Sequence, residues 1–227
     1  MMIFRKCIEV INTNFVRFFS FGEFKGSLFY FVKITGGKNN RINTYRSRFS
    51  KSRILFSGKN NKLSIYDSEI LETSITVKGQ NNVIQIDKDV KLRKANIIIR
   101  GSNCTLKIGA GTTFGQIRIV NVGRNNSVII GTNCLFADNI EVWASDTHSI
   151  YDADGRFINP ERPIYIGNGV WIGSYVKILK GVNIGDGAIV GMNSLIVNDV
   201  DSKNLVAGNP VRCLKENVTW SLKYEHE

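Results

Sequence analysis

Histidine is nearly missing from this 227-residue chain, which holds only His148 and His226. Two histidines, one of them next to the C-terminus, exclude a three-histidine zinc centre, and no metal site is expected. Proline is scarce, at three residues, and no long polar tract occurs, so the composition is not that of a disordered chain. The four cysteines (Cys7, Cys104, Cys134 and Cys213) are far apart and show neither CxxC nor zinc spacing. They read as free thiols of a reducing compartment, with Cys104 and Cys134 as small buried hydrophobes. No apolar run approaches the ~18–20 residues needed to span a bilayer. Charges break up the apolar N-terminus and no small-residue cleavage site follows, which argues against a signal peptide. No Gly-x-Ser-x-Gly turn is present, so a serine nucleophile elbow is excluded. Acidic residues are short in one place above all. Residues 1–60 carry twelve Lys/Arg against Glu9 and Glu23, leaving eighteen basic and seventeen acidic residues for the rest. That imbalance suggests an anionic partner, either a membrane surface reached through residues 1–60 or a polyanionic substrate. Without a reading motif or a repeated aromatic-basic platform, nucleic acid is not expected.

What the chain does have is periodicity. From Ile166 an aliphatic residue returns every sixth position: Ile172, Ile178, Ile184, Val190 and Ile196. A second row follows four residues after each (Val170, Val176, Val182, Ala188). A period of six is neither helical nor that of a single strand; it is a signature of a parallel β-helix. Three six-residue units, each a short strand and a corner, close a triangular coil and place each inward residue on the one about 18 positions later. A longer repeat precedes it. Gly37, Gly58, Gly79, Gly101 and Gly123 each open a Gly-x-Asn-Asn or similar corner followed by an alternating strand, at spacings of 21 to 22 residues. These read as slightly enlarged coils of one solenoid, eight or nine coils in all, over residues 36–207. Residues 1–35 are aromatic and basic and read as an N-terminal cap or a membrane-facing segment. Ile3, Phe4, Ile8, Ile11, Phe15, Phe18 and Phe19 fall at roughly helical spacing. Residues 208–227 read as a C-terminal cap with partial helix. The register breaks over 149–163 (SIYDADGRFINPERP), a protruding loop rich in turn formers.

His148 follows Ile130, Phe136 and Val142 in that register, where an inward aliphatic is expected, and it adjoins the loop between Asp146 and Asp152. An imidazole so placed suits a general base near neutral pH.

The run IGNGVWIGSYVKILKGVNIGDGAIVGMNSLIVNDV, with VAGNPVRCL after it, resembles the hexapeptide-repeat acyltransferases. The Asn-Asn coils, His148 to Tyr151 with Asp154 to Asn159 after it, and the ending KENVTW resemble the bacterial capsule polysaccharide O-acetyltransferases within that group. The resemblance implies an all-β, left-handed parallel β-helix and a cytoplasmic homotrimer, possible also at the inner membrane face, with active sites between subunits. It implies acetyl-CoA as donor and a polysaccharide or sugar hydroxyl as acceptor. By the same resemblance His148 is the base, Trp171 lines the acyl-CoA site with Gly173, and the Ser174 backbone N–H contributes to the oxyanion site. Met192 stands in a turn that packs on the donor where the family carries a small residue. Val197-Asn198 replaces the family's Thr-Lys pair, so Arg212 and Lys215 are the cations left for the donor phosphates. Asp146, Tyr151 and Arg156 around the loop are the sugar-binding candidates. N-acetylation of an amino-sugar nucleotide and a non-catalytic scaffold remain the alternatives.

Overall fold

The computed structural model describes residues 21–36 and 39–226. All its regular elements are strands, arranged in three sheets of eight, ten and eight strands, parallel but for the last pair of the ten-stranded sheet, that form the faces of a triangular solenoid. The chain visits the faces in order and has completed eight coils by Ile196. The residues spaced by six are the inward ones. Ile166, Ile172 and Ile178 lie in register beneath Ile184, Val190 and Ile196, eighteen residues on. All six are buried, as are Val170, Val176, Val182 and Ala188. Each such aliphatic side chain contributes roughly 1.5–3 kcal/mol through its burial, so the stacked rows constitute the core.

The longer repeat has its own explanation. The third face is built from strands such as Arg53–Lys59, Ser74–Gln80 and Asn96–Ser102, seven residues each. In the C-terminal coils it shrinks to Lys177–Leu179 and Leu195–Ile196. The broad coils close through the Gly-x-Asn-Asn corner. Gly101 has φ +145°, and a Cβ there would stand 1.8 Å from the Gly123 carbonyl oxygen, so only glycine permits the coils to approach. The first asparagine of each pair takes the left-handed conformation (Asn60 and Asn81 at 58°). The second turns inward. Asn61 Nδ2 donates to Asn40 Oδ1, and Asn82 Nδ2 to Asn61 Oδ1, each at 2.9 Å in the buried interior.

Two expectations need correction, and one lies beyond the described residues. Residues 1–20, with the helical spacing read there, lie outside the described residues. From Phe21 to Thr35 the segment expected as a cap forms the first coil, its strands pairing with those of 41–55. Its irregular aromatic sequence hid the register. At the other end no helix forms among the described residues of 208–227. Val211–Lys215 turns back antiparallel on Leu205–Gly208, and the rest is turns.

Candidate active site

The insertion at 149–163 leaves the solenoid at the corner between the third and first faces, after Ile140–Trp143 and before Ile164–Ile166. It is a small hairpin. Tyr151 bridges Phe157, and Ile158 N–H donates to the Ile150 carbonyl at 3.0 Å. Asp152 spends its carboxylate on the tip of this hairpin, accepting from the Asp154 and Arg156 amides at 3.0 and 2.9 Å. A polar cluster fixes the root. Lys180 Nζ donates to Asp146 Oδ2 and, at 3.1 Å, to the Asn159 carbonyl. Asn159 Nδ2 donates to Asp146 Oδ2 at 2.8 Å and to the His148 carbonyl at 2.9 Å. Burial pushes the Asp146 carboxyl up, but the Lys180 and Asn159 hydrogen bonds and the Lys180 charge outweigh it and hold the group below the usual carboxylate range.

His148 sits on this root and is exposed, so the inward row does not extend to it. The chain departs the coil after Ala144, the last buried residue there, and Ile164 resumes the inward position opposite Val128. The imidazole Nδ1 lies 3.1 Å from Thr147 Oγ1. Asp146 and Asp152, the carboxylates flanking the histidine in sequence, are engaged with Lys180 and with the hairpin tip. The Thr147 contact occupies Nδ1 and leaves Nε2 on the exposed side chain as the nitrogen without a partner among the described residues.

Trp171, Gly173, Ser174 and Met192 cluster elsewhere. Trp171 projects from the second face, 39% exposed, and Ser174 turns the corner between the second and third faces. Met192 occupies the same corner one coil further on, 61% exposed, with Asn193 N–H donating to the Ser174 carbonyl at 2.9 Å. Elsewhere in the solenoid, corner N–H groups are taken by the side chain of the following coil. The Asn168 amide donates to Asp186 Oδ1 at 2.7 Å, and the Thr132 amide to Asn168 Oδ1 at 2.9 Å. At Ser174 the following side chain is Met192, which has no acceptor of comparable strength. The Ser174 N–H consequently has no partner among the described residues. At Gly173 a Cβ would stand 2.7 Å from the Met192 nitrogen, so the corner is as tight as its neighbours. Arg212 and Lys215 are exposed on the closing antiparallel pair, with Lys215 in register with Leu205, itself beside Ile189 and Trp171.

The residues singled out in the sequence thus fall into two separate groups. Ser174 and the Lys180–Asp146 contact lie at opposite ends of the strand Lys177–Leu179. Six residues of extended chain separate them, on the order of 20 Å. Tyr151 and Arg156 travel with the His148 half, both exposed, and Arg156 pairs with Asp154 at 3.3 Å.

Three contributors were not anticipated from the sequence. Lys180 and Asn159 anchor the loop root, and Trp220 covers Trp171. The Trp220 indole N–H donates to the Gly169 carbonyl at 2.6 Å, and its ring centroid lies 6.0 Å from that of Trp171. The ending KENVTW was a visible signal for the last of these; Asn159 and Lys180 lie within the other segments that carry the resemblance, but nothing in them indicated that the two meet. Cys104 and Cys134 are buried as expected, and burial pushes both thiols up, away from nucleophilic use. Among the described residues no group of three or more His, Cys, Asp or Glu side chains is arranged to hold a metal. None of the described helices is long and apolar enough to cross a membrane.

Residues 163–198 match the bacterial transferase hexapeptide family (six repeats). The galactoside O-acetyltransferase of Escherichia coli K12 is 38% identical over 89 residues, covering 38% of this chain and 43% of that protein. The polysialic acid O-acetyltransferase of Escherichia coli O1:K1 / APEC is 35% identical over 93 residues, covering 40% and 30%. The matched segment therefore spans less than half the length of either curated relative. Solved structures extend the likeness over nearly the whole chain. The polysialic-acid-specific acetyltransferase NeuO superposes with a TM-score of 0.69 at 28% identity, covering 91% of this chain and 89% of that one. The polysialic acid O-acetyltransferase OatWY does so with a TM-score of 0.67 at 26% identity, covering 91% and 90%. Residues 163–198 thus carry the hexapeptide repeat of that transferase family, and the solenoid as a whole resembles the left-handed β-helix of the two polysialic acid O-acetyltransferases.

Proposed function

We propose that the protein transfers an acetyl group from acetyl-CoA to a sugar hydroxyl of a bacterial surface polysaccharide, in a site shared between copies of a homotrimer. The observation that carries this reading is the pair of complementary half-sites. An exposed imidazole stands at one edge of the third face, and an unpaired backbone N–H stands at the other. A cyclic assembly brings the third-first corner of one copy against the second-third corner of the next, which completes the pair.

The residues fit the donor. Trp171, Met192 and Val197 expose apolar surface at and beside the Ser174 corner, where an extended acyl-pantetheine arm has few polar needs. Arg212 and Lys215 supply charges for its phosphates. In the reaction, His148 Nε2 accepts the hydroxyl proton as the acceptor oxygen bonds to the thioester carbonyl carbon. The Ser174 N–H of the neighbouring copy donates to the carbonyl oxygen as it becomes negative. Collapse breaks the carbon–sulfur bond, and the imidazolium returns its proton to the departing thiolate. For this role Nδ1–H donates to Thr147 Oγ1, which leaves Nε2 to take the proton. The Lys180–Asp146–Asn159 cluster acts one step back, by fixing the loop root.

The names of the relatives, acting on galactosides and on polysialic acid, support a hydroxyl acceptor. The basic N-terminal third supports an anionic one. A cytoplasmic location, where acetyl-CoA is made, follows from the donor. The test is mass-spectrometric detection of acetyl transfer to anionic capsule fragments, neutral oligosaccharides and amino-sugar nucleotides, with wild type beside His148→Ala. Transfer to a polysaccharide hydroxyl that the variant loses is expected. Transfer to amino-sugar nucleotides alone moves the enzyme to N-acetylation of precursors, and no transfer with no donor binding leaves a scaffold.

A further inference from the structure

The basic residues of the N-terminal half are not spread evenly over the solenoid. In the first five coils the third-face strands (Lys33–Thr35, Arg53–Lys59, Ser74–Gln80, Asn96–Ser102, Ile117–Arg124) carry seven Lys/Arg and no acidic residue. The first-face strands of the same coils carry four against Glu23, and the second-face strands three against Glu69. On the first face Lys25 and Arg41 both pair with Glu23. The third-face cations are all exposed and form no ion pair among the described residues. The nearest acids are at its margins: Glu72 at the flanking corner, Glu141 on the next coil, and Glu161, whose carboxylate accepts the Arg124 amide at 2.6 Å.

The arrangement is ordered as well as charged. Parallel register stacks outward residues in rows about 4.8 Å apart from coil to coil. One row is largely apolar: Leu55, Thr76, Ile98, Val120, Trp143 and Leu179, all half-buried except Val120, which is covered. On one side of it runs the row Lys33, Arg53, Ser74, Asn96, Arg118 and Glu141, cationic at its start and again at Arg118, whose guanidinium lies 5.0 Å over the Trp143 ring. On the other side run Lys78 and Arg100 in adjacent coils. Unpaired cations held within a Debye length of one another, about 8–10 Å, sum to a strong local potential that costs stability unless a polyanion is present.

We propose that the third face of coils one to five is a docking track for an anionic polysaccharide chain, lying along the solenoid axis and leading to the loop that carries His148. The inference rests on the acceptor class proposed above and adds its binding surface. Charge complementarity selects a polyanion. The apolar row with Trp143 at its active-site end selects a sugar chain, whose CH faces rest on apolar and aromatic surface while its carboxylates meet the flanking cations. The coil spacing is close to the length of one sugar ring along such a chain, so successive rings meet successive coils. The track spans several coils, so a long chain gains contacts that a short one does not reach.

The test uses the full-length protein without acetyl-CoA and α2,8-linked polysialic acid fragments of graded length as the probe, with neutral dextran and a single-stranded oligodeoxynucleotide of matched charge as comparisons. Affinity for polysialic acid should rise with chain length and fall with salt. The Lys78→Glu/Arg100→Glu double variant should weaken long-chain binding about tenfold or more, with dextran unbound and acetyl-CoA affinity unchanged. Length-independent binding, or an affinity unaffected by the double variant, overturns the track. So does an altered oligomeric state in the double variant, which makes the face a contact between copies. Equal or tighter binding of the oligodeoxynucleotide overturns the sugar assignment. Because the readout is binding, an inactive enzyme that still binds long chains in this way condemns the proposed chemistry and leaves the track standing.

Discussion

The two halves of this solenoid solve the same packing problem with different corners. In coils two to five the third face is seven or eight residues long, and its corner is closed by glycine and a buried asparagine ladder. In coils seven and eight it is two or three residues long, and the corners are tight six-residue turns with no ladder. The broad half adds a buried asparagine ladder to its aliphatic core and has a third face without acids. The narrow half has an aliphatic interior, and its corner at Ser174 has lost the side chain that would satisfy the N–H beneath it. The difference teaches where each half can carry function. A broad face offers area, and a tight corner offers a single fixed donor.

The comparison can be broken most severely at the narrow half. His148→Ala should lower acetyl transfer by about 10²–10⁴-fold, the range for removing a positioned base, with the thermal midpoint unchanged. A variant that retains full turnover would remove the imidazole from the chemistry. Next comes Met192→Asp, which restores at Ser174 the acceptor present at Asn168. It should occupy the free N–H and lower kcat on the order of 10²-fold, with the fold intact. Equal rates in wild type and variant would show that the Ser174 donor is not used. In the broad half, Asn82→Ala strands the buried partners of the ladder and should cost about 1–3 kcal/mol of stability, read as a lower denaturation midpoint with kcat unchanged. A loss of activity larger than the loss of folded protein would show that the two halves are coupled.

The smallest effect concerns the loop root. Asp146 has its pKa lowered in the folded protein, so its contribution is present above the unfolded carboxylate value of about 3.9 and is lost as pH falls through the lower folded value. Protection of the Ile150 and Ile158 amides against hydrogen exchange should therefore persist at mildly acidic pH and decline only below that value. In Asp146→Asn the acid-dependent decline should be absent. An unchanged pH profile in Asp146→Asn would place the tether elsewhere.

Much of this was legible in the sequence because a β-helix writes its core at a fixed spacing. Ile166 to Ile196 gave the inward rows, the 18-residue stacking and the narrow half directly, and the Gly-x-Asn-Asn repeats marked the broad half. The first coil was not legible, since Phe21 to Thr35 keeps inward positions without keeping the glycine or asparagine of the corner. His148 was placed on the inward row because register was carried past Ala144, whereas the hairpin takes the chain outside. Contacts between coils were beyond reach for a different reason. The Lys180–Asp146 pair joins residues 34 apart across an insertion. The free Ser174 amide depends on which side chain sits one coil later, so only the stacked structure exposes it.

The central claim is that one site draws on two chains, and mixed assemblies test it most directly. His148→Ala and Met192→Asp each disable one half-site, so their separate homotrimers should be nearly inactive. Co-assembled in equal amounts, they leave about one quarter of the interfaces with an intact imidazole facing an intact corner, and activity should return to about that fraction of wild type. Mixed trimers as inactive as their parents would contradict the shared site and place both halves of the chemistry within a single chain.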